Sequence, residues 1–196
     1  APAGFEDLAD AWTLWATSKK AGRADLRGRF NSGEKMALAL ARRSRITSTT
    51  GTVEFNESGR RRLRTKRDRG TEFYAEFRLT DTDVAEIRAF ARDIIVPSSI
   101  DVTINGEPLI HRTPVHRCRV TLPTVVADDE GVLRTRQRQT TVEFYDTGGA
   151  PAKAFEMGIP VVEMGGDEFS VNVMQRVPLG QERDNLPPKY LQRLRV

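Results

Sequence analysis

The chain has 196 residues and a net charge of +4, with 38% hydrophobic and 30% charged residues. That is the balance of a globular protein with room for one large domain or two small ones. No stretch approaches the roughly 18 apolar residues of a membrane-spanning helix, and the acidic opening "APAGFEDLADAW" does not read as a signal peptide. A single cysteine, Cys118, excludes an internal disulfide framework and points to a reducing compartment, the cytoplasm.

Residues 5–16 place Phe5, Leu8, Trp12, Trp15 and Ala16 on one helical stripe, which predicts an amphipathic helix. Residues 17–28 have no periodicity and read as a polar loop. In "RFNSGEKMALALARR" a polar loop passes directly into strong helix formers, so a helix is expected over 33–43. Asn31 as N-cap with Glu34 three residues later fits a capping box. Residues 45–65 alternate like two strands around "NESG". Residues 70–80 form a further strand with Phe73, Ala75, Phe77 and Leu79 on one face. Asp81 or Thr82 caps a helix over 83–95 whose apolar face is Val84, Ile87, Phe90 (or Ala91) and Ile94, stopped by Pro97. "TINGEPLI" is a strand, an Asn-Gly turn and a return.

The second half is richer in strands. A long hairpin is expected around "ADDEG" (127–131), a breaker at "TGGAP", a short helix at "AKAFEMG" (152–158), then strands at "IPVVEM" and "FSVNVMQRVPL". "PPKYLQRLRV" starts a terminal helix with proline in its first turn. A domain boundary is expected near 112–114, dividing the chain into 1–113 and a β-rich module of 114–196.

Asn31, Ser32 and Gly33 at a helix mouth have two readings: a plain cap, or an anion cradle in which first-turn N–H groups and the helix dipole face a phosphate. Gly28 and Gly33 have P-loop spacing, but Lys35 comes one place late, no hydroxyl follows it and no strand precedes, so the P-loop is rejected. The arginine-rich "GRRRLRTKRDRG" (59–70) sets a rival function, a non-catalytic nucleic-acid-binding module using Arg60, Arg61, Arg62, Arg64, Lys66, Arg67 and Arg69. His111, His116 and Cys118 lack a fourth zinc ligand at sensible spacing. "ADDEG" lacks calcium-loop spacing, and no nucleophile elbow is present.

Several segments taken in order carry a resemblance. Thr17-Ser18-Lys19, "GRFNSGEK" (28–35), "SRITSTTGT" (44–52) and "GTEF" (70–73), followed by the helix and strand to residue 104, resemble the lid region and GT box of the GHKL ATPase superfamily. Its members include gyrase B subunits, heat-shock chaperones, histidine kinases and MutL-type proteins; the MutL lid, with "TSK" and "GFRGEA", is the nearest echo. "VNVMQRVPLGQERDNLPPKYL" (171–191) resembles the tails of phage-encoded RIIA-like members.

The resemblance implies an α/β fold, a two-layer Bergerat-type sandwich of mixed sheet with helices on one face, incomplete at its N-terminus, plus the smaller β-rich module. It implies ATP as ligand, with magnesium held by an asparagine upstream of this region, and slow hydrolysis at a lid coupled to conformational change or homodimerisation. "APAGF" matches only the end of the superfamily's "DxGxGF" box, so the adenine-binding aspartate is expected just before Ala1 and no catalytic residue in the chain. The residues implied at the nucleotide are Gly4, Gly28, Asn31, Ser32, Gly33, Glu34, Lys35 and Thr71. Ser18 and Lys19 fall at the lid hinge. Lys35 either adds charge at the phosphates or faces solvent, and solvation is the plainer reading for Ser18, Lys19 and Lys35. Arg176, with Arg183 and Lys189 as alternatives, is the basic residue expected to sense the terminal phosphate. A degenerate scaffold without ligand is the third reading.

Overall fold

A computed structural model describes residues 3–14, 20–27, 33–179 and 185–195, with only the backbone of Glu34. The fold is α/β, with three sheets and few helices. It divides into two compact units, the first Ala1–Lys19 with Gly28–Thr82, the second Lys20–Arg27 with Asp83–Val196. Residues 112–114 lie inside the second unit.

The first unit holds a single 3₁₀ turn, Leu8–Ala11, the helix α1 (Gly33–Leu40), and strands β1 (Arg43–Ser48), β2 (Gly51–Asn56), β3 (Gly59–Leu63) and β4 (Glu72–Glu76). The four strands form an antiparallel sheet in the order β3-β2-β1-β4. The alternating stretch at 45–65 therefore makes part of β1 as well as β2 and β3, because Thr49 and Thr50 turn the chain before "NESG" does. In the second turn the Asn56 side chain accepts from the backbone N–H of Ser58 at 2.9 Å, the Asx pattern that favours this residue in turns. Leu8, Ala11, Ile46 and Val53 make the core, with Phe5, Trp12, Leu38 and Phe55 against it.

The helix expected over 5–16 is, among the described residues, only that one turn. Asp7 caps it by accepting from Ala9 N–H at 2.8 Å. Trp12 then leaves helical geometry and sets its ring edge-on to Phe55, with Arg60 stacked 4.4 Å from the ring centroid. Packing on the sheet overrides the local periodicity.

The second unit contains helix α2 (Asp81–Asp93, its first two residues belonging to the first unit), the hairpin β5 (Thr103–Ile104) and β6 (Glu107–Pro108), the long strands β7 (His116–Ala127) and β8 (Leu133–Asp146), then β9 (Lys153–Glu156), β10 (Ile159–Glu163), β11 (Phe169–Val173) and α3 (Pro188–Leu194). The sheet order is β10-β9-β11-β8-β7, and β9 with β11 is its parallel pair. The Asn105-Gly106 turn has both φ angles positive, 54° and 84°, as a two-residue type I′ hairpin requires. The β7–β8 hairpin around 127–131 and the proline-started α3 form as expected.

The helix expected at 152–158 is instead β9. Ala154 and Phe155 are buried between β10 and β11, and backbone pairing on both sides outweighs local helix propensity. Nor does α2 bury an apolar face: Ile87 and Phe90 are 55% and 51% exposed, and no residue of the helix is buried. Its C-terminal end is fixed by Ile95, buried with Tyr145 and Phe155, whose N–H donates to the carbonyl of Gly158 at 2.8 Å.

Candidate functional site

The residues that the resemblance places at a nucleotide fall into three groups. Gly28, Asn31 and Ser32, with the capping box and the 17–19 triplet, lie outside the described residues, as does Arg183. The other two groups are placed.

Gly4 and Thr71 meet at one hydroxyl. β1 alternates so that Ser44, Ile46 and Ser48 share the buried face, with Ser48 fully buried at the strand's end. Ser48 Oγ accepts from Phe5 N–H at 2.7 Å and shares a 3.2 Å hydrogen bond with Thr71 Oγ1. Thr49 Oγ1 donates to the carbonyl of Ala3 at 2.6 Å, and Thr50 Oγ1 to that of Phe5 at 3.0 Å. Three consecutive hydroxyls thus dock the segment 3–5 on the β1–β2 turn. The approach demands glycine. Gly4 has φ +70°, and a Cβ there would collide with Ser48 Oγ and lie 3.1 Å from the Gly70 carbonyl. Thr71 is solvent-exposed, so this junction has a wet side. Ser48 was missed by motif reasoning; the signal was a small polar residue closing the apolar face of "RITS".

Gly33 begins α1 and faces open space: a Cβ built on it meets no atom within 4 Å. Lys35, expected to be solvated, is 5% exposed and is not free of partners. It sits in the first turn of α1, three residues before Leu38, which packs against the core, and its burial corrects the solvated reading.

Arg176 belongs to the second unit and does a different job from the one expected. It is completely buried. Its guanidinium donates to the carbonyls of Leu26 (2.5 Å), Ala21 (2.8 Å) and Lys20 (2.6 Å), and its own N–H donates to that of Ala24 at 2.8 Å. The planar fork suits several carbonyls at once. Arg27 adds a second tie, donating to the Glu156 carbonyl at 2.9 Å and lying 3.6 Å from its buried carboxylate. At the surface of the same segment the Arg23 guanidinium, hydrogen-bonded to Asp25, holds that carboxyl down to about 2. Arg176 clamps the 20–27 segment; a phosphate-sensing role is not what its buried donors serve. Lys189, the alternative, is exposed on α3.

The basic run is partly engaged. Arg60 stacks on Trp12, Arg61 pairs with Glu54 at 3.0 Å and Arg67 with Glu72 at 2.9 Å. Arg62, Arg64, Lys66 and Arg69 are exposed, with no side-chain ion pair among the described residues. Among the described residues no helix is long and apolar enough to cross a membrane. No protein-family model matches the chain, and neither does any curated protein.

Proposed function

We propose that the first unit is part of a GHKL-type ATP-binding domain with the two-layer sandwich of that superfamily, and that the protein couples nucleotide binding and slow hydrolysis to conformational change or dimerisation. The observation that carries the reading is the junction of Gly4, Ser48 and Thr71. Two positions assigned to the adenine side, distant in sequence, meet at one buried hydroxyl, and a side chain at Gly4 would collide with it. The phosphates are assigned to the start of α1, where first-turn N–H groups favour an anion and Gly33 leaves room for one. Lys35 and Arg176 have no part in the proposal as phosphate ligands. Magnesium is assigned to no residue here, since the resemblance puts its ligand on a helix outside 1–113. Catalysis of this kind rests on positioning and charge neutralisation.

The test is thermal unfolding of the full-length protein with AMP-PNP and magnesium. A ligand that binds only the folded state raises the melting temperature. Thr71→Val removes the hydroxyl partner of Ser48 Oγ, so its ligand-free melting temperature is measured alongside, and the nucleotide shift taken relative to that value should shrink. No shift at about 5 mM nucleotide overturns the reading.

The exposed Arg62, Arg64, Lys66 and Arg69 support a second reading, a nucleic-acid-binding surface. It predicts DNA or RNA affinity falling with salt by a log–log slope of about −0.7 to −0.9 per phosphate contacted. Absent or salt-insensitive binding removes it.

A further inference from the structure

Arg88 and Arg92 stand one turn apart on α2 and so share a face. Neither guanidinium forms an ion pair or hydrogen bond among the described residues; Arg92 contributes only its carbonyl, which accepts from Arg112 at 3.3 Å. Like charges at this spacing disfavour a helix by about 0.2–0.5 kcal/mol, so α2 itself gains nothing from the pair.

Both arginines line a cavity of about 640 Å³ whose other wall is the β5–β6 hairpin and the chain after it. Arg112 lines it too, oriented by its bond to the Arg92 carbonyl and by Asp93 at 4.0 Å. Glu107 is the carboxylate of the lining. Asp93, at 4.0 Å from Arg112, offsets that guanidinium, and Arg88 and Arg92 are the cations of the lining without an ion pair among the described residues. The remaining wall is apolar, with Ile104, Leu109 and Ile110, the last 86% exposed. The walls are held in place. The type I′ turn at Asn105-Gly106 sets the hairpin, Leu109 N–H donates to Val102 at 2.8 Å, and Ile95 pins α2 one turn beyond Arg92.

We propose that this cavity binds a small organic phosphomonoester, its phosphate between the arginines and its apolar body against Ile104, Leu109 and Ile110. A phosphomonoester carries about −1.5 to −2 near pH 7, enough to pair with both unpaired guanidinium groups, Arg88 and Arg92, whereas a single carboxylate or phosphodiester brings one charge for two. Guanidinium forks take phosphate oxygens in pairs. Inorganic phosphate would leave the apolar wall in water, and the volume falls within the roughly 300–1,000 Å³ of small-molecule sites. Every lining residue belongs to the second unit, so the site stands apart from the nucleotide proposal.

The experiment is calorimetric titration of the full-length protein with 1-naphthyl phosphate. Saturable binding is expected, weaker for inorganic phosphate and absent for 1-naphthol. The double variant Arg88→Ala/Arg92→Ala should lose affinity by about tenfold or more; alanine favours the helix at both places, and circular dichroism verifies the fold. Arg119→Ala, an exposed charge on β7, and Thr71→Val should bind as the parent does. No saturable heat up to about 5 mM, an unaffected double variant, equal binding of 1-naphthol, or loss of binding in Thr71→Val would each overturn the proposal.

Discussion

The guanidinium of Arg176 donates to the carbonyl of Leu26 at 2.5 Å, across 150 residues of sequence. With the carbonyls of Lys20 and Ala21 also accepting from the guanidinium, and that of Ala24 from the Arg176 backbone N–H, a fully buried charge is solvated by one short segment. That segment belongs to the second unit although the chain on both sides of it belongs to the first. Carbonyl dipoles replace the water the charge has lost, and the arginine in return supplies donors to buried acceptors.

Arg176→Met should therefore lower the urea-unfolding free energy of the second unit by about 3–5 kcal/mol, since the carbonyls are left without their charged donor. Trypsin should then cut faster at Arg23 and Arg27. Arg176→Lys should recover only part of the loss, because one ammonium cannot reproduce the planar fork. An unchanged unfolding midpoint and unchanged cleavage for Arg176→Met would show that the segment is held by other means.

Gly4→Ala combines a positive φ with a collision against Ser48 Oγ. It should destabilise the first unit by about 1–3 kcal/mol. Gly59, with φ +111° and open space around it, provides the comparison: Gly59→Ala bears only the backbone penalty. Chemical denaturation of the two variants side by side checks the difference, and equal losses would mean the Ser48 contact is unimportant.

Among the described glycines of the second unit, Gly158 is the most closely approached. Its φ is +83°, a Cβ would run into the Ile95 carbonyl, and its N–H donates to Asn172 Oδ1 at 2.8 Å. Gly158→Ala should cost about 2–4 kcal/mol by forcing β9–β10 away from the residue that anchors α2. Loss of amide protection at Ile95, read by hydrogen exchange, should accompany it.

Tyr145 is buried and donates to Glu143 Oε2 at 2.8 Å; burial first, and that hydrogen bond second, push its hydroxyl up to about 12. Glu143 also accepts from Asn172 at 3.0 Å and pairs with Arg117 at 2.9 Å. A raised pKa means that the folded state holds the proton more tightly. The stabilisation is complete below the unfolded tyrosine value near 10 and is lost as pH climbs through about 12. Stability measured by urea titration should fall from pH 10 to 12, less steeply in Tyr145→Phe; an identical slope would rule this tyrosine out. Tyr190, raised by burial, and Tyr74, raised by its hydrogen bond to Glu76, add slope in the same direction.

Sequence alone determined what depends on near neighbours. Asn105-Gly106 carries its own turn geometry, the acidic turn before Val132 joins two long alternating strands, and Pro188 preorganises α3. Positive φ and a fixed proline ring are properties of the residue itself, so they read directly from the letters. Tertiary structure alone decided whether 8–11 continued as a helix, whether 153–156 became a strand, that Lys35 went inside and that Arg176 closed on the 20–27 segment. In each case the deciding partner is distant in sequence: Phe55 for Trp12, β11 for β9, Leu26 for Arg176. The Gly4–Ser48–Thr71 junction is of the same kind, since a hydroxyl becomes a hub only when the ends of β1 and β4 and the segment 3–5 converge on it. Burial and hydrogen bonding between remote segments outweigh local propensities that are worth only fractions of a kcal/mol per residue.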